Sequence, residues 1–379
     1  MIKRILKISI EKELFGGKAL IIMGARQTGK TTLLNEIFAN REKVIWFNAD
    51  EPDVVALFEN PNSVRLKSIF GDNRIVVIDE AQRIENVGLK FKLITDTLQD
   101  IQLVATGSSS FDLSNKINEP LTGRKWEHKL FPVSTQEMIN HHGLLDEMRK
   151  LPDRLIYGFY PEVLTSPGKE RKVLKEITDS YLYKDLLKLD GINKSDKLIK
   201  LLQALAYQVG SEVSYNELGS IINLDNETVE KYITILEKAY VIFRLGVFSR
   251  NLRSELKRTR KVYFYDNGIR NAIIANFALP ELRQDIGALW ENFIISERMK
   301  YLHYNEVWSN CYFWRTQDQQ EIDFIEERDG VLHAAEFKWN AKKIPRLSKT
   351  FTNAYPNHTF RVITPENYES FVSNVGYDQ

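Results

Sequence analysis

Gly24-Ala25-Arg26-Gln27-Thr28-Gly29-Lys30-Thr31-Thr32 follows directly on the apolar run Ala19-Leu20-Ile21-Ile22-Met23. The pattern is G-x-x-x-x-G-K-[ST], and its setting gives it physical meaning. A buried strand ends, a glycine-rich turn exposes backbone N–H groups, and a helix starts at Lys30 and runs through Leu33, Leu34 and Ile37. Such N–H groups, with the helix N-terminus, cradle polyphosphate. All nine residues from Gly24 to Thr32 are therefore candidates for binding ATP. Lys30 is expected to reach the β- and γ-phosphates, and the Thr31 hydroxyl to hold Mg²⁺. Arg26, inside the loop, is expected to be structural rather than catalytic.

A nucleotide hydrolase also needs a carboxylate for the metal and a group to position water. Arg74-Ile75-Val76-Val77-Ile78-Asp79-Glu80 offers both. Four apolar residues in a row suit a strand buried on both faces of a parallel sheet. Asp79 then falls at the carboxyl end of the strand, where open α/β sheets place their ligands, and would fix Mg²⁺ through its water shell. Glu80 would act as general base on the attacking water. Alone, an Asp-Glu pair is an ordinary strand end with two solvated acids; about 50 residues after a phosphate loop it points to hydrolysis. A third strand, Ile101 to Ala105, runs into Thr106-Gly107-Ser108-Ser109-Ser110. A polar side chain there would lie beside the γ-phosphate. Ser108 and Thr106 are the first candidates and Ser109 the next, while a helix cap near Phe111 would account for the same serines.

These stretches together resemble the AAA+ class of P-loop ATPases. More narrowly, the chain looks like a family of prokaryotic AAA-type ATPases that carry a C-terminal domain of unknown function. Besides the motifs above, the likeness rests on Ile78-Asp79-Glu80-Ala81-Gln82, Leu121-Thr122-Gly123-Arg124, Lys261-Val262-Tyr263-Phe264-Tyr265-Asp266-Asn267-Gly268 and Trp290-Glu291-Asn292-Phe293. It is looser between about 140 and 250, where Tyr157-Gly158-Phe159-Tyr160-Pro161-Glu162 has one glycine in place of two. The resemblance implies ATP binding with Mg²⁺. It also implies a catalytic role for Arg124, acting on the γ-phosphate within its own chain or in a neighbouring subunit. By itself, Arg124 next to Lys125 reads as a surface arginine.

The 379 residues suit two or three domains. A hydrophobic share of 43% and a charged share of 27% are those of a globular protein. No run of about 18 apolar residues is present, so no transmembrane helix or membrane partner is expected. The N-terminus lacks the features of a signal peptide. The single cysteine, Cys311, excludes an internal disulfide and fits a cytoplasmic location. His141-His142 reads as a surface pair, because adjacent helical residues do not share a face. Net charge is only +1, but Arg244, Arg250, Arg253, Lys257, Arg258, Arg260 and Lys261 face only Glu255 between positions 244 and 261. That strip is a phosphate-binding surface, a solvated basic loop, or a surface that meets the acidic side of another domain.

Three parts follow. Residues 1–133 form an α/β parallel-sheet ATPase core, with strands expected near 19–23, 43–48, 74–78, 101–105 and 126–131. Residues 134–280 are mainly helical, opening on a capping box at Ser134-Thr135-Gln136-Glu137. Within them, helices at Asp196–Val209, Ser214–Ile222 and Glu227–Ala239, then a strand at Val241–Phe248, give the plan of a winged helix-turn-helix. Its third helix starts Glu227-Thr228-Val229-Glu230 and has little positive charge for base readout, so a protein-contact or spacer role is favoured for it.

Residues 285–379 hold a second chemical signal. An amphipathic helix from Leu289 is followed by strands at Val307–Trp314 and Gln320–Ile325, a turn at Arg328-Asp329-Gly330, and a strand at Leu332–Trp339. This is the pattern of a small α/β domain resembling PD-(D/E)xK nucleases. Asp323 and Glu336 would share a divalent ion, Lys338 would stand beside them, and Glu291 would add a carboxylate from the helix. Equally, Glu336 and Lys338 could be the wet side of a half-buried strand.

The leading expectation is an ATPase that couples hydrolysis to conformational change, with DNA as distal partner and a homo-oligomer as candidate assembly. The alternatives are a slowly turning, nucleotide-controlled protein switch or scaffold, and an ATP-gated metal-dependent endonuclease.

Overall fold

The computed structural model describes residues 1–108, 117–180, 195–249, 260–316, 318–340 and 345–374. Contacts divide the chain into two compact units, Met1–Pro132 with Lys238–Tyr240, and the remainder.

The first unit is built on a five-stranded parallel sheet: β1 (Ala19–Met23), β2 (Val44–Asn48), β3 (Ile75–Asp79), β4 (Gln102–Gly107) and β5 (Lys125–Lys129), in the order β2-β3-β4-β1-β5. All five were legible as strands, with shifts of one or two residues at their ends. Burial explains the apolar runs. Every residue of β1 and β4 is buried, whereas the edge strands β2 and β5 leave Trp46 and Trp126 exposed. The helix Lys30–Phe38 starts where expected and buries Leu33, Leu34 and Ile37. The helix Leu6–Glu13 was not foreseen; Leu6 and Ile10 are its only buried positions, too few for a clear periodic signal.

The second unit holds one seven-stranded mixed sheet, with β6 (Glu212–Val213), β7 (Ile242–Val247), β8 (Arg260–Phe264), β9 (Asn310–Arg315), β10 (Glu321–Arg328), β11 (Val331–Phe337) and β12 (His358–Ile363) in the order β12-β11-β10-β9-β7-β8-β6. The three helices expected in the middle region are present at Ser195–Tyr207, Tyr215–Ile222 and Asn226–Lys238. The strands β6, β8 and β7 complete that region as an antiparallel ladder. Residues on both sides of the boundary expected between 280 and 285 belong to one compact unit. Parallel pairing of β7 with β9, Gly246 opposite Tyr312 and Val247 opposite Phe313, makes the middle ladder continuous with the C-terminal strands. At the hairpin between β10 and β11, Asp329 and Gly330 both take positive φ (51° and 75°), the backbone that an Asp-Gly pair favours.

The helix Ile286–Tyr304 corrects another expectation. It is not amphipathic. It is buried around most of its circumference, Glu297, Arg298 and Lys300 included. Those charges are neutralised internally. Arg298 makes a two-pronged pair with Glu326 at 2.5 and 2.9 Å. Lys300 lies 2.6 Å from Glu297, whose other oxygen accepts the Thr135 N–H. Buried charge is tolerated only with such pairing.

Two motifs of the sequence meet as a joint. Asp266 caps the helix Asn267–Ile273 and also accepts the Phe159 N–H at 2.7 Å. A side chain on Gly268 would collide with the Tyr157 carbonyl at 2.1 Å. Asn292 accepts from the Phe264 N–H at 2.7 Å and donates to the Phe264 carbonyl and to Asn267 Oδ1 at 3.1 and 2.6 Å. Asn292→Leu would leave these buried groups without partners, at about 1–3 kcal/mol each. It should lower the unfolding free energy in urea titrations by about 2–4 kcal/mol. A change under about 0.5 kcal/mol would show that the joint does not hold the unit together.

Candidate functional site

The phosphate loop is set by three constraints. Gly24 ends β1 where a Cβ would lie 2.1 Å from the Leu130 carbonyl. Gly29, at φ 93°, turns the chain into the helix. Arg4 ties the loop down, its guanidinium donating to the carbonyls of Thr28 at 2.8 Å and Phe131 at 2.6 Å. Sequence reading missed Arg4; a lone arginine near an N-terminus carries no pattern. Thr28 is buried and donates to the Ala25 carbonyl at 2.8 Å. Gln27, Thr31 and Thr32 are exposed, and Arg26 is half-buried.

Lys30 is only 6% exposed, and its ammonium donates to the loop's own carbonyls, Gly24 at 2.9 Å and Ala25 at 3.0 Å. Burial pulls its pKa down to about 8, against the opposing pull of Glu80 and Asp79. The Thr31 hydroxyl donates to Asp79 Oδ2 at 2.7 Å. Thr106 donates to the other Asp79 oxygen and accepts the Glu80 N–H at 3.2 Å. The two residues expected to hold Mg²⁺ are thus in direct contact at the loop's mouth, so hydroxyl, carboxylate and phosphate oxygens fit a hard divalent ion there.

Glu80 takes a left-handed backbone, φ 52°, at the end of β3. Its carboxylate accepts from Gln82 Nε2, which also donates to Ser108 Oγ at 3.1 Å. Of the two first candidates on the third strand, Thr106 touches Asp79 and the Glu80 backbone, while Ser108 is linked to Glu80 through Gln82. Ser109, and the helix expected near Phe111, lie outside the described residues. Gln82 was quoted as part of a motif but given no role.

Arg124 is not near the loop. Its carbonyl accepts the Ala19 N–H, at the start of β1, and its guanidinium pairs with Asp96 at 2.5 Å. β1 has five residues, and at ~3.3 Å per residue about 16 Å of strand separates Arg124 from Gly24. Arg124 and Gly24 thus lie at opposite ends of β1.

In the second unit the four residues singled out by sequence do come together. Lys338 Nζ lies 2.8 Å from Glu336 and 3.7 Å from Asp323. Asp323 also accepts the Phe337 N–H at 2.8 Å. Glu291 enters from the helix Ile286–Tyr304, but its partners are Tyr263 at 2.6 Å and Lys261 at 3.1 Å, both on β8. Lys261 also pairs with Glu321 at 2.5 Å. Burial raises the Glu291 pKa to about 7, with Lys261 opposing and Asp323 adding to the rise. Burial, then Asp323, also raises that of Glu336. Burial works against the charge on Lys338, yet Asp323 and Glu336 outweigh it and hold its pKa above the ordinary value. Among the described residues, no group of three or more His, Cys, Asp or Glu is placed to hold a metal ion. Asp323 and Glu336, the two carboxylates expected to share a divalent ion, both lie within 3.7 Å of the Lys338 ammonium.

The basic strip is similarly reassigned. Lys261 is internal. Arg244 is drawn inward, pairing with Glu237 and Glu230 and donating to the Tyr215 hydroxyl at 3.0 Å. Arg250, Arg253, Lys257 and Arg258 lie outside the described residues. Of the adjacent histidines, His141 is exposed and His142 bonds Glu147 at 2.8 Å.

Residues 16–139 match the family described as an AAA domain. Residues 148–279 and 286–375 match two domains of unknown function, DUF8612 and DUF4143. An uncharacterised protein of Mycobacterium tuberculosis is 25% identical over 354 residues, 91% of this chain and 75% of that one. One of Haemophilus influenzae is 26% identical over 343 residues, 83% and 80% of the two chains. A Walker-type ATPase of Pyrococcus abyssi superposes with a TM-score of 0.51 at 15% identity, covering 72% of this chain and 96% of that one. The chain therefore carries a P-loop ATPase fold of the AAA+ type, followed by a helical region and a mixed sheet. No helix among the described residues is long and apolar enough to cross a membrane.

The lowered pKa of Lys30 has a measurable consequence. A phosphate chain favours the charged amine, so nucleotide binding must restore the proton above pH 8. Calorimetry at pH 8.5 in buffers of different ionisation heat should show uptake of more than about half a proton per ATP, with affinity falling as pH rises further. No uptake, or the same uptake in Lys30→Ala, would assign the proton to another group.

Proposed function

We propose that this chain binds ATP with Mg²⁺ and hydrolyses it, using turnover to change its conformation. The observation that carries this reading is the buried Lys30 ammonium in a loop whose next residue, Thr31, already contacts Asp79. Lys30 and the loop N–H groups would take the β- and γ-phosphates. Thr31 and Asp79 would hold Mg²⁺, which when bound neutralises charge on the phosphate oxygens. Glu80 would take the proton of the attacking water, and Gln82 would set the orientation of that carboxylate. Thr106 would keep Asp79 in place, and Ser108 would report the state of the γ-phosphate through Gln82. A role for Arg124 would need a neighbouring copy, hence a homo-oligomer. The lone cysteine suits work in the cytoplasm.

We assign the winged helix-turn-helix plan to residues 195–264, on the order helix, short strand, two helices and hairpin. DNA as distal partner now rests on the residues between β7 and β8. The exposed start of the helix Asn226–Lys238, with Glu227, Glu230 and Lys231, supports the second reading, a nucleotide-controlled switch that contacts protein. The third reading, a metal-dependent endonuclease, rests on Asp323, Glu336 and Lys338, which lie together, the Lys338 ammonium 2.8 Å from Glu336 and 3.7 Å from Asp323.

Glu80→Gln should keep ATP bound yet lose at least about a hundredfold in turnover, the scale of a missing general base. Lys30→Ala should lose most of its affinity while keeping its circular dichroism. Undiminished turnover in the first, or undiminished binding in the second, would move the site elsewhere. Turnover measured with and without duplex or single-stranded DNA separates the two partner readings. Severalfold stimulation selects DNA, and no response at low salt selects the protein switch.

A further inference from the structure

The helix Leu6–Glu13, which carries no motif, anchors a side chain that reaches the phosphate loop. Arg4 stands just ahead of it, and its carbonyl accepts the Lys7 N–H at 3.2 Å. The helix is itself held in place. Leu6 and Ile10 are buried, and Lys7 pairs at 2.8 Å with Glu36 of the helix Lys30–Phe38, the helix that leaves the loop. From that base the guanidinium of Arg4, a residue only 8% exposed, reaches two carbonyls with two different nitrogens. Nη1 donates to Thr28 at 2.8 Å and Nη2 to Phe131 at 2.6 Å.

Both ends of the loop are thereby referred to one stretch of chain. Gly24, where the loop begins, lies so close to Leu130 that a Cβ would stand 2.1 Å from the Leu130 carbonyl, and the Leu130 N–H donates to Met23 at 2.7 Å. Thr28, near the end of the loop, hangs through Arg4 on Phe131, the residue after Leu130. The backbone on either side of Thr28 is left-handed, Gln27 at φ 60° and Gly29 at φ 93°. A left-handed residue other than glycine persists only where its surroundings hold it. The Thr28–Gly29 peptide is trans, so its N–H points opposite to its carbonyl. With the carbonyl fixed by Arg4, the Gly29 N–H is turned away from the guanidinium.

We propose that Arg4 is a positioning residue for the phosphates of the nucleotide: it presets the Thr28–Gly29 peptide so that the Gly29 N–H, next to Lys30, faces them. The inference rests on the ATP-binding reading and deepens it by naming what keeps the cradle in its binding shape. Preorganisation raises affinity, because the ligand does not have to order the loop. It also sets the γ-phosphate against Glu80, and a misplacement of about 1 Å costs on the order of a hundredfold in rate. Geometry is required here as well as charge. A guanidinium spans two acceptors with a rigid planar fork, whereas a lysine ammonium is a point charge on a flexible stem.

The test is calorimetry of the full chain with two probes, Mg²⁺–ATP and Mg²⁺–tripolyphosphate, the second lacking base and sugar. Arg4→Met and Arg4→Lys should each bind both probes at least about tenfold more weakly than wild type, by the same factor for the two. Their turnover at saturating ATP should stay at least about tenfold below wild type. A merely structural role would lower the melting temperature and the number of binding sites titrated, and would leave the Kd of the folded fraction unchanged. Wild-type Kd in folded Arg4→Met therefore overturns the proposal. Wild-type Kd in Arg4→Lys overturns the fork, and a loss confined to ATP would place Arg4 at the nucleoside and overturn it too. If neither variant folds, a crystal structure of wild type with Mg²⁺–tripolyphosphate decides. Gly29 N within about 3.2 Å of a phosphate oxygen, with Arg4 still on Thr28 and Phe131, upholds the proposal. A Thr28 carbonyl released by Arg4, or a Gly29 N–H turned from the phosphate, refutes it. Wild type that binds neither probe sinks the ATP reading itself, whereas wild-type binding with unchanged variants sinks only the part given to Arg4.

Discussion

Asp79 is where the first unit is tied together. One oxygen accepts from Thr31, on the first turn after the phosphate loop, and the other from Thr106, on β4. A single carboxylate thus fixes the register of three elements at the carboxyl edge of the sheet. The remaining pieces follow from that anchor. Glu80 must turn through a left-handed backbone to leave the strand, which brings it to Gln82 and, through Gln82, to Ser108. Lys30 is held inside the loop by two neutral carbonyls, those of Gly24 and Ala25. The loop is a cradle whose buried charge a polyanion would match.

The second unit solves a different problem. It buries an unusual amount of charge and amide around the helix Ile286–Tyr304, and every group named above is answered by a partner. Asn292 bonds both backbone groups of Phe264, Arg298 grips Glu326, and Lys300 sits between Glu297 and the Val133 carbonyl. Satisfied polar networks of this kind define one packing, because any slip leaves a buried donor or acceptor unmet. Glu291 and Lys261 belong to the same logic. By sequence one belongs to a nuclease-like set and the other to a basic strip; in the fold they pair with each other.

What the sequence disclosed, and what it withheld, divides along physical lines. Local rules were readable: the continuous apolar runs of β1 and β3, the glycines of the loop, the capping box at Ser134 and Glu137, and the Asp329-Gly330 turn. Each is a short-range constraint with a residue signature. Long-range pairing was not. Nothing at Gly246 announces that it lies opposite Tyr312, so two regions looked like separate bodies. Charged residues were the hardest. Lys261 reads as basic surface because its partners Glu291 and Glu321 lie far away in sequence, and Arg244 because its partner Glu237 falls in the preceding helix, outside the strip itself. Arg124 followed the family's pattern in order, and strand direction places it at the start of β1, the opposite end from Gly24. Asp323, Glu336 and Lys338, grouped by a nuclease-like pattern, lie together in the fold, while the pairing of Lys261 with their neighbour Glu291 left no trace in the spacing.

The most direct test is a crystal structure with Mg²⁺ and a non-hydrolysable ATP analogue. The Lys30 ammonium should leave the Gly24 and Ala25 carbonyls for the β- and γ-phosphates, and Mg²⁺ should stand between Thr31 and Asp79 with Glu80 facing the terminal phosphate. A nucleotide bound elsewhere, or a Lys30 still fastened to its own loop, would contradict the assignment of this loop as the catalytic centre.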